Sequence, residues 1–146
     1  MKYLRKFNES VDFFDFSYDS TSKDGNSTYY VFNDGPNVFR LEIKRLDDTD
    51  VELFRYVYDN GNWTYKVVKV SSLDKLYNTI YTHILPDYVS KNEWVELVVI
   101  NGLGKDLEKD FITQRTKMNM RYIPSRVMNG WKYDRDGNEI YLYKIK

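Results

Sequence analysis

The feature that most constrains this fold is a run of alternating residues that predicts consecutive antiparallel strands. Phe39, Leu41 and Ile43 face one side of the first strand, and charged residues face the other. This period of two is typical of a strand with one buried face. The pair Asn60-Gly61 is the strongest short signal for a two-residue hairpin turn. The predicted meander comprises residues 38–46, 51–58 and 63–70.

An aromatic segment precedes the meander. Phe14, Phe16 and Tyr18 alternate, which predicts another strand. Residues 20–27 have the composition of a turn or flexible loop, and residues 28–33 predict a further strand. A chain of 146 residues without a linker or repeat fits one domain. We therefore expect one domain over residues 1–146, in which residues 1–27 form a peripheral strand and a flexible loop.

Two helices and more strands are predicted after the meander. Apolar residues at helical spacing indicate a helix over residues 73–88, which Ser71 would cap and Pro86 would kink or end. Residues 93–100 are apolar on both faces, as in a covered central strand. The remaining predicted elements are a helix from residue 106 to 123, stopped by Pro124, and a hairpin over residues 127–146 with its turn at 134–138.

This order predicts the α+β class. The sheet is mainly antiparallel and carries two helices, in the order β-meander, helix, strand, helix, β-hairpin. Helices laid on a mainly antiparallel sheet are a common layer architecture.

Composition excludes several classes of function. The chain has no cysteine, which rules out structural disulfides and thiolate zinc sites. Its 22 basic and 22 acidic residues cancel, so no overall charge steers it toward nucleic acid or anionic membrane. No secretory signal opens the chain, and no apolar run approaches the roughly 18 residues that indicate a membrane span. We therefore expect a cytoplasmic location and no membrane partner.

Few residues offer catalytic or metal chemistry. His83 is the only histidine and lies beside a predicted apolar stripe, so we expect a structural role rather than general-base catalysis. One histidine and no cysteine leave almost no way to build a nucleophile–base pair. The acidic stretches 47–50 and 134–139 fall in predicted turns and do not complete a calcium loop. We predict no catalytic residue, no cofactor and no metal site.

The aromatic content favours a binding surface. Aromatic residues make up 17% of the chain, with 14 tyrosines, and tyrosine is common both on half-buried sheets and at interfaces. Basic residues between 105 and 126 could contact phosphates, but zero net charge favours a solvated helix face. Tyr, Trp and Arg dominate interface energies. The candidate interface residues are Tyr56, Tyr58, Trp63, Tyr65, Arg115, Arg121, Trp131 and Tyr133.

The order of elements over residues 38–145 resembles the second half of the GNAT-type N-acetyltransferase fold. That resemblance implies a cleft where strands splay after Val98. It also implies a glycine-rich turn before the first helix that holds the pyrophosphate of coenzyme A. The matching stretch here, residues 69–76, has no glycine and places Asp74 where phosphates would lie. The resemblance thus implies the scaffold without its cofactor.

The chain is also similar to small uncharacterised proteins of tailed phages. The similarity lies in the opening MKYLRKF, the helix around residues 76–80, the arginines of the second helix and the tyrosine-rich end. It implies a phage origin and a place in the host cytoplasm. We therefore predict a non-enzymatic accessory module that binds a host or phage protein. The alternatives are a degenerate GNAT-like acyltransferase and a single-stranded nucleic-acid binder, and the oligomeric state stays open.

Overall fold

The structure is a computed structural model that describes residues 13–19, 25–34, 37–59, 61–64, 73–101 and 114–146. Within these ranges eight strands form one sheet. The strands are β1 (Phe16–Asp19), β2 (Ser27–Asp34), β3 (Asn37–Arg45), β4 (Asp50–Asp59), β5 (Asn62–Thr64), β6 (Leu97–Asn101), β7 (Trp131–Asp136) and β8 (Glu139–Lys144). The helical segments are α1 (Leu73–Asn78), a π-helical segment (Thr79–Ile84), α2 (Leu85–Lys91), α3 (Gln114–Tyr122) and a 3₁₀ turn (Ile123–Ser125).

The predicted α+β class, the mainly antiparallel sheet and the order of elements are confirmed. The alternating residues Phe39, Leu41 and Ile43 of β3 are all buried on one face, as predicted. β4 and β5 pair as a hairpin, and Gly61 between them adopts a φ of 82° that a side chain would strain, while Asn60 of the predicted turn lies outside the described residues. Residues 65–70 of the third meander strand lie outside the described residues.

The sheet has the order β1-β2-β3-β4-β6-β8-β7, and β5 pairs with β4. Its described ladders are antiparallel except for one parallel pair, β4 with β6. Parallel strands need a long crossover connection, and the first helix lies in the connection from β4 to β6. The apolar residues 98–100 of β6 are buried, as expected of a covered central strand.

The first helix continues past Pro86, where the sequence predicted a kink or an end. It runs from residue 73 to residue 91, so Pro86 does not end it. A π-helical segment widens the helix just before the proline, and Pro86 falls in the first turn of α2. Because the helix is continuous here, Pro86 lacks an N–H that would bond the preceding turn, and the π-helical irregularity lies where the proline disturbs that hydrogen-bond ladder. The proposed cap at Ser71 lies outside the described residues.

The second helix and the terminal hairpin are tied together by polar side chains. The described part of this helix is α3, and Pro124 lies in the 3₁₀ turn that follows it, as the sequence predicts. Buried Thr116 of α3 donates to the Oδ1 of Asn138 in the hairpin turn at 2.8 Å. The hairpin is shorter than expected, because β7 begins at Trp131 rather than at residue 127.

The hydrophobic core lies between one face of the sheet and the helices. Inward side chains of β2, β3, β4, β6 and β8 join apolar residues of the first helix in one buried cluster. The burial of these apolar groups supplies the main driving force for folding. The opposite face of the sheet bears no helix among the described residues. Within the same ranges, no helix has both the length and the apolar character needed to cross a membrane.

The π-helical segment yields a stability prediction. The Oγ1 of Thr79 accepts the N–H of Phe14 at 2.7 Å and donates to the carbonyl of Lys75 at 2.7 Å. Thr79→Val keeps the shape but leaves a buried N–H without its acceptor, which costs about 1–3 kcal/mol. We expect a loss of that size in the free energy of urea unfolding.

Thr82→Val is the matched control, because Thr82 lies in the same π-helical segment but is exposed. Equal losses in the two variants would contradict the role given to the contact between Thr79 and Phe14.

Candidate functional site

A concave site lies where β4 and β6 part. The two strands pair in parallel from Asp50–Leu97 to Leu53–Ile100. Beyond that point the ladder between the two strands ends, while β4 stays paired with β3 and β6 with β8 on their other edges. A cleft lies at this fork.

The fork has a local cause. The edge of β4 that faces β6 also carries β5, which pairs with residues 57–59 of β4. Because one stretch of strand edge accepts only one partner, β6 cannot follow β4 along its whole length. The parting after Ile100 lies two residues beyond Val98, where the sequence resemblance implied a splay.

Sheet and helices together enclose the cleft, which has an empty volume of about 500 Å³ including its open mouth. The sheet supplies one wall and the two helices supply the other. The lining residues are Leu41, Leu53, Phe54, Arg55, Tyr77, Ile80, Tyr81, Ile100, Arg115 and Asn119.

One end of the cleft is polar. Arg55 and Arg115 line this end, and both lie close enough to Tyr77 for their charges to act on its hydroxyl. Burial raises the pKa of Tyr77, while the two guanidinium groups oppose that rise. The Tyr77 ring is fixed by stacking on Tyr122, with ring centres 4.7 Å apart.

The rear wall of the cleft is a buried polar pair. Tyr81 of the π-helical segment donates its hydroxyl to the Oδ1 of Asn119, and Asn119 donates its amide N–H to the carbonyl of Arg115 at 2.9 Å. Burial raises the pKa of Tyr81 well above its ordinary value, so this hydroxyl stays protonated. A π-helical turn is an irregularity often found at functional sites, and here it provides the lining residues Ile80 and Tyr81.

The lining residues that the structure describes are two arginines, two tyrosines, one asparagine and five apolar residues. Across the described part of the chain, no group of three or more potential ligand residues could hold a metal ion.

A second surface lies on the helix-free face of the sheet. The guanidinium of Arg40 stacks between the rings of Tyr29 and Tyr56, at 4.4 Å and 5.0 Å from the ring centres. Tyr56 donates its hydroxyl to Glu42 at 2.7 Å, and Tyr58, two residues further along β4, is 48% exposed. Such contacts between Arg and aromatic rings hold the side chains in fixed positions.

Carboxylates occupy the other half of this face. Burial raises the pKa of Glu52, and the nearby charge of Glu139 raises it further, while Lys44 opposes the rise. Tyr141 donates its hydroxyl to Glu139 at 2.8 Å. This bond and the surrounding carboxylates raise the pKa of Tyr141 to about 12.

The predicted interface residues do not form a single patch. Tyr56 and Tyr58 share the helix-free face, whereas Trp131 is buried and Tyr133 is exposed on the helix side of edge strand β7. Arg115 lines the cleft, and Arg121 is exposed on α3. The side chain of Trp63, and Tyr65 as a whole, lie outside what the structure describes.

The residues considered for catalysis and metal binding make contacts that stabilise the fold. His83 is half-buried and packs on Phe13, with ring centres 4.1 Å apart. Asp47 accepts the backbone N–H groups of Thr49 and Asp50, which closes the turn between β3 and β4. Lys105 and Lys109 of the basic set lie outside the described residues.

The sequence reasoning missed most of the cleft residues, although one signal was present. Arg55 follows Val51 and Leu53 in the inward register of β4, so a charged residue stands where the pattern calls for an apolar one. A polar residue on a buried face often marks a site. Tyr77 and Tyr81 fit the apolar helical stripe equally well, so nothing in the pattern distinguishes them as lining residues.

No family of known proteins, no curated protein and no solved structure matches this chain. The likenesses to the acetyltransferase fold and to phage proteins therefore stay predictions from the sequence.

The raised pKa of Glu52 gives a prediction about pH. Folding disfavours the ionised carboxylate, so Glu52 lowers stability once the pH rises above the ordinary range of glutamate. Glu52→Gln removes this ionisation, and we expect the variant to be more stable than wild type at neutral pH. Thermal unfolding over a pH series should show the gain shrinking toward zero in acid, where both side chains are neutral.

Glu93→Gln, at an exposed position, controls for the exchange of carboxylate for amide. If the gain in stability of Glu52→Gln stayed constant across the acid range, it would not come from the ionisation of Glu52.

Proposed function

We propose that this chain is a non-enzymatic binding protein that holds a small organic molecule in the cleft at the fork of β4 and β6. One observation carries the proposal: a concave site with an apolar wall and a polar end lies between the sheet and both helices. Pockets of this kind are the default position for a ligand in an α+β protein.

The described lining is mainly apolar and aromatic with a few polar groups, which is typical of a small-molecule binding site. Most lining side chains are held by their own contacts, as in the stacking of Tyr77 on Tyr122 and the bond from Tyr81 to Asn119. A preorganised site loses less conformational entropy when a ligand enters.

The proposal is tested by NMR of the isotope-labelled methyl groups during titration with a library of small organic compounds. We expect at least one compound to shift the methyl signals of Leu41, Leu53, Ile80 and Ile100, because these residues line the cleft. The methyl groups of Val95 and Leu142, which are buried outside the cleft, should not move.

Acetyl-coenzyme A belongs in the same library. Selective shifts at the cleft with this compound would favour the alternative of a GNAT-like acyltransferase. If no compound in the library shifted the methyl signals of these four residues, the proposal would be contradicted.

A second candidate is a protein-binding accessory module, phage-encoded and acting on a host or phage protein. The observation that favours it is the array of Tyr29, Arg40 and Tyr56 beside exposed Tyr58 on the helix-free face. Tyrosine and arginine are the commonest hot-spot residues. A host-cytoplasmic location belongs to the same proposal.

Tyr58→Ser tests this second candidate. If Tyr58 is a hot spot, its truncation weakens partner binding by about 2 kcal/mol or more, roughly 30-fold. Quantitative pull-down from host lysate should recover a partner with wild type and lose it with the variant.

Tyr133→Ser is the matched control, because Tyr133 is also exposed, at 39%, but on the other face. If wild type, Tyr58→Ser and Tyr133→Ser all recovered the same partner, the helix-free face would be excluded as the binding surface. Nucleic acid in the captured material would favour the alternative of a single-stranded nucleic-acid binder.

A further inference from the structure

β7 is the last strand at one end of the sheet, and no described strand pairs with its outer edge. Gly130, the residue before β7, accepts the N–H of Ile145 at 2.9 Å on the β8 side. Because hydrogen-bonded and non-hydrogen-bonded pairs alternate along antiparallel strands, every second residue after Gly130 bonds β8. The backbone groups of the residues between them point to the outer edge. These residues are Trp131, Tyr133 and Arg135.

Two of these outward N–H groups are bonded within the chain. The N–H of Trp131 donates to the carbonyl of Met128 at 3.1 Å, in the turn that leads into β7. The N–H of Arg135 donates to the Oδ1 of Asp134 at 2.8 Å. A row of unpaired backbone groups on an edge strand is a template for pairing with another chain. Both bonds therefore reduce what the outer edge offers to a second strand.

A second copy of β7 fits this edge in one antiparallel register. The turn at Met128 lies beside Trp131, so a pairing strand must lie along residues 132–136. Two identical chains usually pair about a two-fold axis, which places residue 134 opposite its own copy. In that register the outward groups of Tyr133 meet those of Arg135 and form a continuous backbone ladder.

The charges on the helix-free side of β7 act on this register in opposite directions. Lys132 of one copy lies opposite Asp136 of the other, and such pairs of opposite charge stabilise adjacent strands. Asp134 lies opposite Asp134, and like charges directly opposite are destabilising. All three side chains are exposed. Asp134 therefore opposes pairing twice, because its carboxylate occupies the N–H of Arg135 and repels its own copy.

We propose that the outer edge of β7 is a self-pairing surface for a second copy of this chain, and that Asp134 keeps it closed. Release of the Asp134 carboxylate exposes the N–H of Arg135 and removes the repulsion at the centre of the pair. The pairing extends the sheet edge to edge, so the cleft and the helix-free face of each copy stay open. It is therefore independent of both functions proposed above.

The test compares wild type with Asp134→Ala and Asp136→Ala by sedimentation equilibrium over a concentration series. Both variants lose one exposed carboxylate from the same side of the same strand, but only Asp134→Ala loses the acceptor of the Arg135 N–H. We expect Asp134→Ala to self-associate about tenfold more tightly than wild type, or more. Each copy gains a free N–H donor, and a like-charge contact disappears. Asp136→Ala should associate no more tightly than wild type.

A proline locates the pairing surface. Tyr133→Pro removes an N–H that points away from β8, and proline is tolerated at such positions of an edge strand. Added to Asp134→Ala, it should return self-association to the level of wild type. Circular dichroism during thermal unfolding verifies that each variant is folded. Asp134→Val, which has the higher strand propensity, replaces Asp134→Ala if alanine destabilises the hairpin.

Any of three outcomes would overturn the inference. If the folded variant at position 134 associated no more tightly than wild type, Asp134 would not be what closes the edge. Equal gains in Asp134→Ala and Asp136→Ala would assign the effect to net charge alone. Self-association of Asp134→Ala that survived the addition of Tyr133→Pro would place the contact elsewhere on the chain.

Discussion

The short parallel ladder between β4 and β6 is the constraint on which the rest of the structure depends. It joins the meander to the C-terminal strands through only four residue pairs. Because parallel neighbours need a crossover, the ladder requires the first helix to lie across the sheet. Because the ladder ends at Ile100 while β4 continues to Asp59, it also opens the cleft. One pairing thus determines both the placement of the helix and the position of the concave site.

Polar contacts, buried or partly buried, hold the helices in register with the sheet. Tyr30 of β2 donates to Asp87 of α2 at 2.9 Å, and Thr116 of α3 donates to Asn138 at 2.8 Å. An unpaired buried polar group costs more than a paired one contributes, so such bonds select one arrangement among the many that would bury similar apolar area. The Tyr81–Asn119 bond belongs to this set and also forms the rear wall of the cleft.

The two faces of the sheet use tyrosine differently. On the helix side, Tyr77, Tyr81 and Tyr88 are core residues with 3% of their surface exposed. On the other face, Tyr29 and Tyr56 enclose Arg40 in partly exposed positions. High tyrosine content alone therefore does not indicate an interface, because the same residue type packs the core and covers the open face.

The sequence by itself determined the strands of the meander, the helical stripe and the α+β order, since these follow from local periodicity and turn chemistry. Only the tertiary structure decided where β6 leaves β4 and which residues meet at that point. Arg55 and Arg115 come from a strand and a distant helix, and no periodic pattern encodes contacts between them. The passage of the helix through Pro86 was likewise decided by the π-helical segment, since propensity alone predicts a kink or a helix end at proline.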